Sequence, residues 1–206
     1  MIKNQLRSII AVPLALALVA STALSPSIAH ANGGNTITPL ADAYVSSAHP
    51  NTNYGSSARL WIDNDTDALT SYLKFDVRNS VYDGHNACEG GVFSASSANL
   101  DLTIDDVSGN GHEIWVTDPS WTETGLTYNN RPAVTGASAA GIIYSADEDS
   151  VNDSAIYTID GAAIDQACNE YGGILSLVIK GGSTNALAFK SKEGSISPTL
   201  AVIVGD

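Results

Sequence analysis

Three short runs carry aromatic and basic side chains at a spacing that could grip a sugar. In Arg59-Leu60-Trp61-Ile62 and Tyr72-Leu73-Lys74-Phe75, apolar residues alternate with polar-tipped ones. On a strand this period of two sends Leu60, Ile62, Leu73 and Phe75 to one face and Arg59, Trp61, Tyr72 and Lys74 to the other. Leu187 and Phe189 likewise leave Lys190 and Lys192 pointing outward. Aromatic planes can stack on pyranose rings, while basic groups and hydroxyls bond the ring's polar substituents. If the first two runs pair as a hairpin across the turn-rich Asp63–Thr70, then Trp61 comes beside Tyr72 and Lys74. Arg59, Trp61, Tyr72, Lys74 and Lys190 would then share one carbohydrate-binding face. The competing reading is that this face packs under a loop or a second layer. Trp115 and Trp121 read as core or loop-packing residues.

Other chemistries find less support. His49, His85 and His112 stand apart from any Gly-x-Ser-x-Gly, His-Glu-x-x-His or Cys-x-x-Cys pattern. The 22 acidic residues always offer some carboxylate pair, which makes such a pair uninformative. Asp63-Asn64-Asp65-Thr66-Asp67 alternates carboxylates as calcium loops do, but Ala68 and Lys74 stand where an EF-hand needs Gly and Glu. It reads as a solvated acidic turn, as does Asp147-Glu148-Asp149 with Asn152 and Asp153. No enzyme is expected.

The elements that must position these residues are short strands. Alternating runs at Ala41–Ser46, Arg59–Ile62, Ser71–Val77, Asn99–Asp105, His112–Thr117, Ile142–Ser145, Ala155–Ile159, Leu175–Lys180, Ala186–Ser191 and Leu200–Val204 are separated by Gly, Asn, Asp, Ser and Pro. This pattern predicts an all-β fold, a jelly-roll-type β-sandwich. One segment has a different period: Ile164, Ala167, Cys168 and Tyr171 fall on one helical stripe between a candidate N-cap, Asp160, and a stop, Gly172, so one short capping helix is expected over about 160–171. Asn79–Ser97 reads as a long loop.

The first 31 residues hold Lys3, Arg7, an apolar run from Ile9 to Ala20 and a small-residue stretch ending Ala29-His30-Ala31, with no acidic residue. That order predicts a secretory signal peptide over 1–31 and a single domain over 32–206. A cut after Ala29 would instead expose His30, a copper-binding terminus in some oxidative enzymes, but Ala29-His30-Ala31 is the better cleavage pattern. The apolar run is too short to span a bilayer, so no membrane insertion is expected. Residues 32–206 hold seven basic and 22 acidic side chains, a formal charge of −15. Such a surface repels nucleic acid and anionic lipid and favours neutral ligands, cationic surfaces or divalent cations. Cys88 and Cys168, in a chain bound for an oxidising compartment, predict one disulfide joining the helix to the long loop.

Several motifs follow one another in order: Ala41-Asp42-Ala43-Tyr44-Val45, Asn53-Tyr54-Gly55, Leu60, Tyr72-Leu73-Lys74-Phe75-Asp76, Trp121-Thr122-Glu123, Leu126-Thr127-Tyr128-Asn129-Asn130-Arg131-Pro132, Phe189-Lys190-Ser191-Lys192-Glu193 and Pro198-Thr199-Leu200. The ordered set resembles the DNRLRE-domain family over nearly all of residues 32–206. The resemblance implies a secreted or cell-surface jelly-roll sandwich, one branch of which is an alginate-binding carbohydrate-binding module, and hence an extracellular polysaccharide as partner. It also implies a structural calcium near the first strand, for which Asp42 and Glu193 are the candidate ligands. Where the family's commoner pattern is Ser-Arg-Glu, this chain has Ser191-Lys192-Glu193, and lysine lacks the planar fork that grips a carboxylate. The alternative function is a structural subunit of the cell surface or an extracellular matrix, self-assembling through its sandwich edges.

Overall fold

The computed structural model describes residues 32–89, 94–107, 112–135, 141–143, 150–182 and 184–205. In chain order the strands are β1 (Asn32–Gly33), β2 (Ala41–Ser46), β3 (Arg59–Ile62), β4 (Leu69–Asp76), β5 (Val81–Tyr82), β6 (His85–Asn86) and β7 (Ser94–Asp106). Then come β8 (His112–Val116), β9 (Gly141–Ile143), β10 (Ser154–Asp160), helix α1 (Gly161–Glu170), β11 (Ile174–Gly181), β12 (Leu187–Lys190) and β13 (Thr199–Gly205). One sheet runs β1-β13-β7-β12-β3, with β10 on the other side of β7; the second runs β2-β4-β11-β8-β9. Among the described residues every strand pairing is antiparallel.

The period of two does what it predicts for the core. Leu60, Ile62, Leu100, Leu102, Ile104, Phe189 and Leu200 from the first sheet meet Leu73, Phe75, Ile114, Leu175, Leu177 and Ile179 from the second in one buried cluster. The result is the expected all-β sandwich. Helix α1 matches its prediction: the Asp160 carboxylate accepts the Ala162 N–H at 2.8 Å, Ile164 and Ala167 are buried, and the chain leaves the helix through Gly172 and Gly173 at φ +61° and +88°. The disulfide Cys88–Cys168 is present and ties α1 to the segment before β7.

Two expectations are corrected. The Arg59–Ile62 and Tyr72–Phe75 runs do not form a hairpin: β3 pairs with β12 in register Trp61↔Ala188, while β4 lies between β2 and β11 in the other sheet. They meet where the chain crosses between the sheets, at the bridge Asp63↔Leu69 and through the Ser71 hydroxyl, which donates to the Trp61 carbonyl at 2.8 Å. Adjacent strands in sequence need not be neighbours in a sandwich whose edges are closed by crossovers. The long loop is also shorter than expected, because β5 and β6 form a small hairpin inside it and β7 already starts at Ser94. Its first residues are Ser and Ala, weak strand formers, and the buried Ala95 and Ala98 are small because α1 packs directly on β7. The acidic run Asp147-Glu148-Asp149 lies outside the described residues.

Because the disulfide closes a separation of 80 residues, replacing both cysteines with serine should cost about 4 kcal/mol of unfolding free energy. Urea titration of the double variant checks this.

Candidate functional site

The structure separates the five predicted sugar-binding residues into two groups on opposite outer faces. Arg59 and Trp61 on β3 and Lys190 on β12 share the outer face of the first sheet, with Arg59 directly opposite Lys190. Arg59 pairs with Asp105 and lies over the Trp61 ring at 5.5 Å. The Lys190 ammonium donates to Asn152 Oδ1 at 2.6 Å and Ser195 Oγ at 3.2 Å.

Tyr72 and Lys74 sit on the outer face of the second sheet, but a loop covers them. Trp121 and Leu126 of that loop bury Tyr72 to 2% exposure, with the Tyr72 and Trp121 rings edge to face at 6.0 Å. Burial pushes the Tyr72 phenol up to about 12. The Lys74 ammonium donates to the Trp121 carbonyl and lies 4.4 Å from its ring centroid, and burial there lowers it. Trp121 Nε1 donates to Ser176 Oγ at 2.9 Å, and Trp115 packs beside this small second core. Neither face of the Tyr72 region is open to a polymer.

Trp61 instead lines a groove where the β2 edge of one sheet approaches the β3 edge of the other. Its walls include Tyr44, Tyr54, Trp61 and Asp67, and its volume is about 280 Å³. Tyr44 is placed by the β2 alternation, and Tyr54 stacks on it with centroids 4.3 Å apart and planes at 17°. The turn carrying Tyr54 is fixed from two sides. Asn53 Nδ2 donates to the carbonyls of Glu123 and Leu126, each at 2.7 Å. Gly55 passes so close to Glu123 that a Cβ there would lie 2.1 Å from its carbonyl oxygen, which is why the position is glycine. A second concavity of about 330 Å³ lies against Trp121, but that ring has its N–H and one face already committed.

Beside the turn that carries Tyr54, an ionic knot around the buried Asp42 joins distant segments. Asp42, 1% exposed, accepts the Lys192 N–H at 2.8 Å, and its own N–H donates to Glu123 Oε1 at 3.0 Å. The Lys192 ammonium lies 2.8 and 2.9 Å from the two Glu123 oxygens and 3.4 Å from Glu193. Burial pushes the Asp42 carboxyl up to about 7, with Glu193 and Glu123 adding to it against the Lys192 hydrogen bond. Hydrogen bonding to Glu123 holds the Lys192 ammonium above its ordinary range.

With this geometry in view, the chain can be compared with known families. The model of carbohydrate-binding module family 96 matches residues 34–204. The chain belongs to that family. No curated protein matches it. The family's span covers both sheets, the groove and the knot, so the motifs of this module can be assigned physical work. Asp42, Glu123 and Glu193 bring carboxylate oxygens within 4.8 Å of one another. The two candidate calcium ligands, Asp42 and Glu193, are thus brought together, and Glu123 completes the set. As arranged here, the Lys192 ammonium takes up the cation's place beside Glu123 and Glu193, at 2.8 and 2.9 Å from the two Glu123 oxygens and 3.4 Å from Glu193, so a calcium ion would have to displace it.

Sequence reasoning missed Tyr44, Tyr54, Asp67 and Glu123. Their signals were the one large side chain in Ala41–Val45 that alternates with Ala and Val, the Asn-Tyr-Gly turn and the glutamate of Trp121-Thr122-Glu123. None of these says in sequence what it packs against.

Two predictions follow from the knot. The folded Asp42 titrates near 7 against an ordinary 3.8, so its contribution to stability is full below about pH 4 and is lost as pH rises through 7. Asp42→Asn mimics the protonated acid and should stabilise the module relative to its parent by on the order of 1–3 kcal/mol at pH 8 and by almost nothing at pH 4, read by denaturant titration at both values. Lys192→Met leaves Glu123 and Glu193 without their cation and should cost about 1–2 kcal/mol. Millimolar calcium should then raise the melting temperature of this variant while leaving the parent unchanged relative to EDTA.

Proposed function

We propose that the chain is a secreted, non-catalytic carbohydrate-binding module that recognises an extracellular polysaccharide through the Trp61 side of the sandwich. Family membership over residues 34–204 carries this reading. The placement of the site rests on Trp61, which is half-buried at a groove between two sheet edges rather than locked in a core. Arg59 and Lys190, next to it on the outer face of the first sheet, can extend the contact with bonds to sugar hydroxyls. Export is supported by the order of residues 1–31 and by the Cys88–Cys168 disulfide, a bond that persists in oxidising compartments.

Two observations favour binding over cleavage. The carboxyl with the most acid-like character at neutral pH, Asp42, is 1% exposed and out of a substrate's reach. Its neighbours Glu123 and Lys192 are bonded to each other and to it, which uses the groups a general acid–base pair would need free.

Trp61→Ala should abolish retention of the module on polysaccharide affinity gels while leaving its melting temperature within a few degrees of the parent. Unchanged retention would remove Trp61 from the site. The predicted Tyr72 and Lys74 contacts give the contrast: because both lie under the Trp121 loop, Tyr72→Phe should leave retention unchanged.

A further inference from the structure

We propose that the groove between the β2 and β3 edges, walled by Tyr44, Tyr54 and Trp61, is a subsite for an uncharged glycan chain. This rests on the reading of the chain as a polysaccharide-binding module and specifies its ligand class.

The polar tips of the groove's aromatic walls lack internal partners. Among the described residues, neither Tyr44 nor Tyr54 has a hydrogen bond to its hydroxyl, and the Trp61 indole N–H and the His49 ring make none. The other two tryptophans contrast with this: Trp115 Nε1 donates to Glu113 at 3.0 Å, and Trp121 Nε1 donates to Ser176. Half-buried aromatic groups with unused donors suit a partner that is apolar on its ring faces and hydroxylated at its edge, which describes a pyranose. The stacked Tyr44–Tyr54 pair also costs little entropy to hold in place, because each ring already fixes the other.

Charge decides the class of sugar. None of the seven basic side chains of residues 32–206 lines the groove. Arg59 is paired with Asp105, Lys190 with Asn152 and Ser195, Lys192 with Glu123, and Lys74 with the Trp121 carbonyl. Arg78 is bound to Asp76, Arg131 lies on the Tyr128 ring and donates to its carbonyl, and Lys180 stands opposite Glu113 in the second sheet. The acidic group that lines the groove is Asp67, with the His49 ring on the same wall and helping to hold that carboxyl in its charged form. Burial would raise its carboxyl, but the Ala48 N–H at 2.9 Å and the Ser46 hydroxyl at 2.8 Å, with Ser47 behind them, outweigh that and hold it below its ordinary range. A fixed anion bonds sugar hydroxyls well and repels a uronate or sulfate ester. The −15 charge of the whole domain acts in the same direction.

The test is a glycan array of neutral and acidic polysaccharides, followed by affinity electrophoresis at low and high salt on a soluble neutral polymer and on alginate. The parent, Trp61→Ala, Tyr54→Ala and Tyr54→Phe are compared, each with its melting temperature measured. The expected result is retention on at least one neutral polymer with little salt dependence, a loss of tenfold or more for the two alanine variants, and a several-fold loss for Tyr54→Phe, which keeps the stack and removes only the hydroxyl. Retention confined to acidic polymers and weakened by salt overturns this inference while leaving the polysaccharide-binding reading intact. Neutral binding with full affinity in Tyr54→Phe and Trp61→Ala overturns the subsite. Binding to nothing on the array overturns the functional reading and this inference with it.

Discussion

The Asp42 carboxyl, buried at the line where the two sheets' edges meet, must find partners inside the protein, and much of the molecule is arranged around that need. The residue's partners come from far along the chain: its carboxyl accepts the N–H of Lys192, 150 residues away, and its own N–H donates to Glu123, 81 residues away. Asn53 and Gly55 then clamp the next turn onto the same Glu123 backbone. Four segments that share no secondary structure are thereby fixed to one another at the open side of the sandwich. This clamp fixes the turn from which Tyr54 stacks on Tyr44, in the groove that Trp61 also lines. A carboxylate–lysine network around one buried acid is weak evidence for net stability but good evidence for a specified geometry, and geometry is what a preorganised sugar site needs.

Most of the fold was legible in the sequence because it follows from periodicity. Leu60, Ile62, Leu73, Phe75, Leu187 and Phe189 all face the core as a period of two requires, and Ile164 and Ala167 do so on the helix. Cysteine arithmetic likewise sufficed for the disulfide. Strand partnership was not legible. A period of two says that Trp61 and Tyr72 point away from the core but not which sheet's outer face each one decorates, so the hairpin that would have joined them had no warrant beyond nearness in the chain.

The site itself was half legible for the same reason. Trp61, Arg59 and Lys190 come together because β3 and β12 happen to pair in register. Tyr72 and Lys74 are removed because the Trp121–Leu126 loop folds over them, and a loop's landing place leaves no periodic trace. Glu123, the third carboxylate of the knot, carries no local signal, since its role is defined by residues 81 and 69 positions away. The motifs supporting the family resemblance prove to be the clamp: Asp42, Asn53, Gly55, Glu123 and Lys192 all belong to it. The lysines and arginines all lie outside the groove, whose acidic wall is Asp67, an arrangement that suits the uncharged sugar proposed for it.

The three tryptophans make the central claim directly measurable. In a two-dimensional nitrogen–proton spectrum each contributes one indole N–H resonance, and two of these protons are already bonded to Glu113 and Ser176. Titrating a neutral polysaccharide fragment retained by the module should shift the Trp61 indole resonance, assigned by Trp61→Phe, and leave those of Trp115 and Trp121 in place. A Trp61 resonance that stays still while either of the others moves would contradict the account.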